Sequence, residues 1–278
     1  MIGLRAGAAV RLPTIGAQAV DPAAATSGLE GTVVECAEVP YLAKLYVRPR
    51  SLAEATAIQQ LIDIKEFGLT PSDRDRLARS FSWPAHRILD DTDATIGVLI
   101  PRAEARFTFA YEGRWHLRDG QHVTRATSVA GSFSELERHA FAVDVALGWE
   151  LLDRHRLVYA DANSRNLLFA PSGAPSAFFL DCDGIRREND ATLEYRTQAN
   201  WKDPHSHSAT VEADRYLLAV WLLRLLSAQM VRPQPVPGDA DALPSVHRRS
   251  ALRRLISRGL GPPGGRPTPV EYLAMLRT

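Results

Sequence analysis

Apolar residues in the first third of the chain recur in short runs, 32–36, 41–47 and 95–100, set apart by Gly, Pro and Asp. Runs of this length bounded by turn residues predict strands. Between the second and third runs, Leu52, Ala55, Ile58, Leu61 and Ile62 return at helical spacing and predict a helix over about 51–67. A small antiparallel sheet with one helix follows. From Ser132 the pattern changes. Ser132 and Glu135 have the spacing of a capping box, and Phe141, Val145, Leu147, Leu151 and Leu152 carry a long helical period. Two β-like runs, 166–170 and 177–180, interrupt this half before helical stretches at 213–230 and 251–259. The Pro-rich stretch 231–244 predicts a surface loop, and no internal repeat is visible. The class is α+β, with strands gathered early and helices late.

Composition narrows the partners. The 278 residues are 45% hydrophobic and 23% charged, enough to bury one large core or two smaller ones. A net charge of +1 supplies no basic field, so neither nucleic acid nor an anionic membrane is the expected partner. Two cysteines, Cys36 and Cys182, are too few for a disulfide framework or a four-ligand zinc site, and a reducing cytoplasm is expected. Residues 1–20 lack the continuous apolar core of a signal peptide. The longest apolar run, 217–226, is broken by Arg224 and falls short of the ~20 residues that span a bilayer. Lysine occurs only at Lys44, Lys65 and Lys202, which makes each one worth a question.

The chemistry concentrates in Asp161-Ala-Asn-Ser-Arg-Asn166, followed fifteen residues later by Asp181-Cys-Asp-Gly184 after the apolar Phe178-Phe-Leu180. Phosphoryl transfer needs a carboxylate to orient the attacking hydroxyl and hard oxygen ligands for magnesium at the phosphates. As plain sequence features Asp161, Asn163 and Asn166 are also turn formers, and Asp181 opens a loop after a strand. Lys44 stands inside the apolar strand Tyr41-Leu-Ala-Lys-Leu-Tyr46. Burying it there without an anion costs on the order of several kcal/mol, so it faces phosphates and a carboxylate, or else an edge strand leaves it in water. Glu54, with Ala57, Ile58 and Leu61 at i+3, i+4 and i+7, is the candidate carboxylate from the helix, and Asp63 is its rival. In Thr26-Ser-Gly28-Leu-Glu-Gly31-Thr-Val33 the glycines permit close backbone approach to phosphates, or simply shape a hairpin.

Taken in order, these segments resemble the motifs of protein kinases: a Gly-rich loop G-x-G-x-x-G-x-V with Thr26 for its first glycine, the strand lysine, the D-x-x-x-x-N catalytic loop, and D-F-G at Asp181. The resemblance covers about residues 26–276 and implies a two-lobed fold, with an N-terminal extension (1–25), an N-lobe (26–102), and a hinge with a mainly helical C-lobe (103–278). It implies Asp161 as catalytic base, Asn166 and Asp181 as magnesium ligands, Gly28, Gly31 and Lys44 as phosphate contacts, and Glu54 as the partner of Lys44. Asp183 stands as a substitute for the motif glycine rather than a third metal ligand. Trp201-Lys-Asp-Pro204 resembles the end of an activation segment, with His205 in place of its glutamate. Asp214 resembles the buried aspartate that anchors the catalytic loop, and Arg258 and Arg266 the late arginine that pairs with the replaced glutamate. More narrowly, Ser82-Trp83-Pro84 and Gly97-Val-Leu-Ile-Pro101-Arg102 resemble bacterial kinases encoded with a metal-dependent phosphatase and a von Willebrand A-domain protein. On that match Ile100 is the gatekeeper, the backbone of Pro101 to Ala103 meets adenine, and Val33 and Leu168 sandwich the base, with Leu42 where many kinases carry alanine.

The activity so implied moves the γ-phosphoryl group of ATP, with Mg2+ or Mn2+, to a Ser or Thr hydroxyl of a protein substrate. The phosphatase and the von Willebrand A-domain protein are the implied partners. Ala160 stands where many regulated kinases carry arginine, so no residue there reads an activation-loop phosphate. Thr192 and Thr197 are candidates for autophosphorylation. Kinase-like small-molecule phosphotransferases share the Asp-x-x-x-x-Asn loop and a later Asp; Gly28, Gly31, Val33, Asp214 and Arg266-Pro267 favour the protein-kinase branch. A pseudokinase scaffold is the third reading: Lys44, Asp161, Asn166 and Asp181 argue against it, while Thr26, Leu42 and His205 keep it open.

Overall fold

A computed structural model of the chain describes residues 3–16, 26–27, 31–124, 128–171, 176–195, 198–228, 234–244 and 250–277. Gly28 and Thr197 lie outside the described residues. The chain is mixed α+β and divides into two compact units, Met1–Ala103 with Asp181–Asp183, and Glu104–Leu180 with Gly184–Thr278.

The first unit is built on a six-stranded sheet from β1 (Val10–Arg11), β2 (Thr26–Ser27), β3 (Gly31–Glu35), β4 (Tyr41–Tyr46), β5 (His86–Leu89) and β6 (Thr95–Pro101), in the order β1-β5-β6-β4-β3-β2. Every pairing is antiparallel except β1 with β5, which is parallel. Residues 3–16, read from sequence as an extension, therefore add a strand and a short helix, α1 (Leu12–Ile15). They also cover one sheet face: Val10 and Ile15 pack with Val34, Val39, Ala43, Ile88 and Leu99. The strand period of two sends Tyr46, Val98 and Ile100 to the other face, where Ile58 and Ile62 of α2 (Leu52–Asp63) meet them. Ser51 and Glu54 close a capping box that starts α2. A π-helical turn, Ile64–Gly68, ends this helical stretch, and Trp83 Nε1 donates to the carbonyl of Leu61 at 2.9 Å. The expectation of a single helix falls short. Helix α3 (Pro71–Ser80) follows, started by the Thr70 side chain and by proline at its first turn.

In the second unit the strands come as two-residue to four-residue antiparallel pairs. These are β7 (Thr108–Tyr111) with β8 (Arg114–Leu117), β9 (Leu157–Val158) with β12 (Arg186–Arg187), and β10 (Leu167–Ala170) with β11 (Ser176–Phe179). The helices are α4 (Gly120–Val123), α5 (Glu135–Arg154), α6 (Val211–Ser227), α7 (Ser250–Gly259) and α8 (Pro269–Leu276). The capping box of α5 is Ser134 with Glu137, two residues later than the spacing of Ser132 and Glu135 suggested. Helix α6 is buried along all its length except at Glu212 and Arg215, as a helix with apolar residues on every side must be. Arg215 ties it to α5 through Asp153, at 2.8 and 3.1 Å. Among the described residues no helix is long and apolar enough to cross a membrane.

Candidate functional site

Two clusters of polar residues stand out, one in each unit. In the first, Lys44 on β4 is only 6% exposed. Its Nζ lies 2.7 Å from Asp183 Oδ1 and 3.3 Å from Asp181 Oδ1, and Tyr46 Oη donates to Asp183 Oδ2 at 3.0 Å. Lys44 and Tyr46, two residues apart on a strand, point to the same face, which is why both reach one carboxylate. Burial favours the neutral form of Asp183, but the Lys44 charge and the hydrogen bonds from Lys44 and Tyr46 outweigh it and hold the carboxyl below its ordinary range. Asp183 is thus an anion, 4% exposed, while the Asp181 side chain is about half exposed. Asp181 adopts the left-handed conformation, φ +52°, which aspartate tolerates better than most residues. Cys182 between them is buried, and burial first, then the neighbouring carboxylates, push its thiol well above the ordinary value, so it is no nucleophile.

The partner of Lys44 is therefore not Glu54. Glu54 accepts from the backbone and side chain of Ser51 at 2.9 and 2.8 Å and pairs with Arg50 at 3.2 Å. It reaches the lysine only indirectly, because the Arg50 guanidinium stacks 4.0 Å over the Tyr46 ring. The rival Asp63 accepts from Gln59 at 2.9 Å. Sequence reading took Asp183 as a stand-in for glycine. The signal that pointed to it was the buried lysine's need for a carboxylate, which the second aspartate of Asp181-Cys-Asp183 meets.

In the second unit the Asp161–Asn166 loop folds on itself. Asn163 Nδ2 donates to Asp161 Oδ1 at 3.0 Å, and Asn166 Nδ2 donates to Asp161 O and Oδ2 at 2.8 and 3.2 Å. The Asp161 carboxylate is held from two sides. Upstream, Ala160 sits at φ +61°, an unfavourable conformation for alanine. It is held by Asp214 at the start of α6, whose carboxylate accepts from the backbone N–H of Tyr159 at 2.6 Å and of Ala160 at 3.1 Å. Burial raises the Asp214 carboxyl to about 7 despite those two donors. Trp221, also on α6, donates to Ala162 O at 2.8 Å. Tyr159 Oη donates to the carbonyls of Asn166 and Leu180 and joins the loop to the chain after β11.

The remaining expectations fall as follows. Arg266 does hold the segment around Trp201, but its partner is Asp203, not a residue at position 205: the pair is bidentate at 2.6 and 2.9 Å with both side chains fully buried. Arg258 instead donates to Gly265 O. Thr192 accepts from Arg186 Nε at 3.0 Å and donates to Asp190 at 2.7 Å. Val33 pairs with Lys44 across β3 and β4, and Gly31 with Tyr46. Ile100 is buried in the α2 cluster, Pro101 pairs with Tyr41, and half-buried Ala103 ends the first unit. Leu168 is fully buried on β10. In the first unit Asp181 offers a half-exposed carboxylate, and in the second the Asn166 amide nitrogen is committed to Asp161, which leaves its side-chain oxygen as an acceptor. Comparison of the sequence with protein-family models finds no matching family, and comparison with curated proteins finds no match.

Proposed function

We propose that the chain is an ATP- and magnesium-dependent phosphotransferase of the protein-kinase type, with the two-lobed arrangement of that fold, acting on a Ser or Thr hydroxyl of a protein. The observation that carries this reading is the Asp161 loop. Its carboxylate is braced by Asn163 and Asn166, and its backbone is clamped by a buried aspartate on the following long helix. A loop serving only as a turn has no use for a buried carboxylate at its root, since leaving one in the interior is costly. Support also comes from Lys44, a buried cation kept in place by carboxylates in the same loop as Asp181.

Each residue has a role in this proposal. Asp161 orients the acceptor hydroxyl and takes its proton, Lys44 holds nucleotide phosphates, and Asn166 and Asp181 supply oxygen ligands to magnesium. When bound, the ion offsets charge on the phosphate oxygens. The buried Asp203–Arg266 pair, which holds the segment before α6, favours a protein rather than a small-molecule acceptor. The metal-dependent phosphatase and the von Willebrand A-domain protein remain the proposed partners.

Isotope transfer from MgATP to the chain itself and to generic protein acceptors tests the reading. Asp161→Asn should lose about a hundredfold or more in kcat while nucleotide affinity stays near the wild-type value. Absence of transfer by the wild type to itself and to every acceptor, with the proposed partners present, overturns it.

A further inference from the structure

The kinase resemblance implied Glu54 as the Lys44 counter-ion, and the structure supplies a different carboxylate. Beside Asp181, which lies 3.3 Å from the ammonium, three carboxylates of the first unit are weighed as its counter-ion: Glu54 and Asp63 on α2, and Asp183 in the turn after Asp181. Glu54 is spent on the capping box and on Arg50. Asp63 is held by Gln59. Asp183 alone of the three contacts the ammonium, at the shorter of the two Lys44–carboxylate distances, 2.7 Å against 3.3 Å for Asp181. Its second oxygen is fixed by Tyr46 at 3.0 Å, and Arg50 stacks on that tyrosine ring. The carboxylate is therefore gripped at both oxygens by residues of β4, in a nearly dry setting.

Resting on the phosphotransferase reading, we propose that Asp183 is the positioning residue for Lys44: it holds the ammonium on the face of β4 where nucleotide phosphates bind, a task that no acidic side chain of α2 performs. The lysine and its counter-ion then belong to β4 and to the loop that carries Asp181. Their alignment does not require α2 to deliver a charge. Helix α2 contributes packing, Ile58 and Ile62 against Tyr46, while Arg50, just before its cap, stacks on the same ring. The aspartate acts through Lys44 and is distinct in role from Asp181, the ligand offered to the metal.

Equilibrium binding of a fluorescent ATP analogue with Mg2+ to the full-length chain tests this, beside KM and kcat for ATP. Asp183→Asn should weaken nucleotide binding, on the order of tenfold to a hundredfold, the range seen when an orienting partner is lost. The concentration of Mg2+ that half-saturates activity should stay near the wild-type value, whereas Asp181→Asn should raise it. In a Lys44→Met background, Asp183→Asn should weaken binding no further, because its effect passes through the lysine. Glu54→Gln should cost much less than Asp183→Asn. If Asp183→Asn does not fold, Tyr46→Phe keeps the test alive: loss of one hydrogen bond to Asp183 should weaken binding about twofold to tenfold. Asp183→Asn binding within twofold of wild type overturns the inference, as does an equal loss in the Lys44→Met background, a larger loss in Glu54→Gln, or unchanged binding by Tyr46→Phe when that variant must stand in. A wild type that binds no nucleotide overturns the phosphotransferase reading itself. A wild type that binds and transfers, beside an unaffected Asp183→Asn, overturns this inference alone.

Discussion

Ala160, with no side chain able to favour φ +61°, keeps that conformation because Asp214 accepts from its N–H and from that of Tyr159. Burial of Asp214 makes this anchor sensitive to pH. Its carboxyl rises from an ordinary 3.8 to about 7, so the folded chain retains a proton that the unfolded chain releases. The stability tied to this group is fully present below its unfolded value and is lost as pH climbs through about 7, a change on the order of a few kcal/mol. Urea denaturation at a series of pH values should show the wild type losing stability between pH 4 and 7 more steeply than Asp214→Asn; equal slopes would assign the dependence elsewhere. The same scale shows what sequence reading could locate. Asp214 was legible as an acid opening an apolar helix, and Arg266 by its resemblance to the late arginine of kinases. Asp203 has no such signal in its neighbours, since it lies in a polar loop and meets Arg266 only through the fold.

Strand β4 carries Lys44 between two neighbours that approach it closely, and a glycine permits each approach. A Cβ on Gly31 of β3 would stand 2.1 Å from Leu45 O, and one on Gly97 of β6 would stand 2.4 Å from Lys44 O. Both obstacles are backbone atoms, so the strands and not a side chain would have to give. Gly31→Ala should lower stability by about 1–3 kcal/mol, read as a lower urea midpoint. Unchanged stability would mean that β3 shifts without loss. At this scale the sequence was partly legible. The β3, β4 and β6 runs were visible as apolar segments between turn residues, and α2, α5 and α6 as helical periods. Helix α3 was missed because Leu77 is the only apolar residue among those it buries, leaving almost no hydrophobic period to read. Strands β5, β7 and β8 are as short as β10 but carry polar residues among their four, and β8 is exposed throughout, so none reads as an apolar run.

Across the whole molecule the two units have separate hydrophobic clusters, and the first is completed by residues near the N-terminus. Ile15 is fully buried against β3, β4, β5 and β6. Ile15→Ala should cost about 2–5 kcal/mol by leaving a cavity. Hydrogen exchange should then show β4 to β6 losing protection while α5 and α6 retain theirs; equal loss in all of them would show the units unfolding together. The sequence by itself determined the α+β class, the early β3, β4 and β6 runs with α2 between them, the later α5 and α6, and the Asp161–Asn166 and Asp181 motifs, because each is written in a local stretch of chain. Only the tertiary structure decided that β1 joins the sheet beside β5, that Arg266 meets Asp203 across 63 residues, and that Lys44 meets Asp183 across 139 rather than Glu54 ten residues away. A buried charge pairs with the carboxylate that the path of the chain brings to it, and proximity in sequence does not set that path.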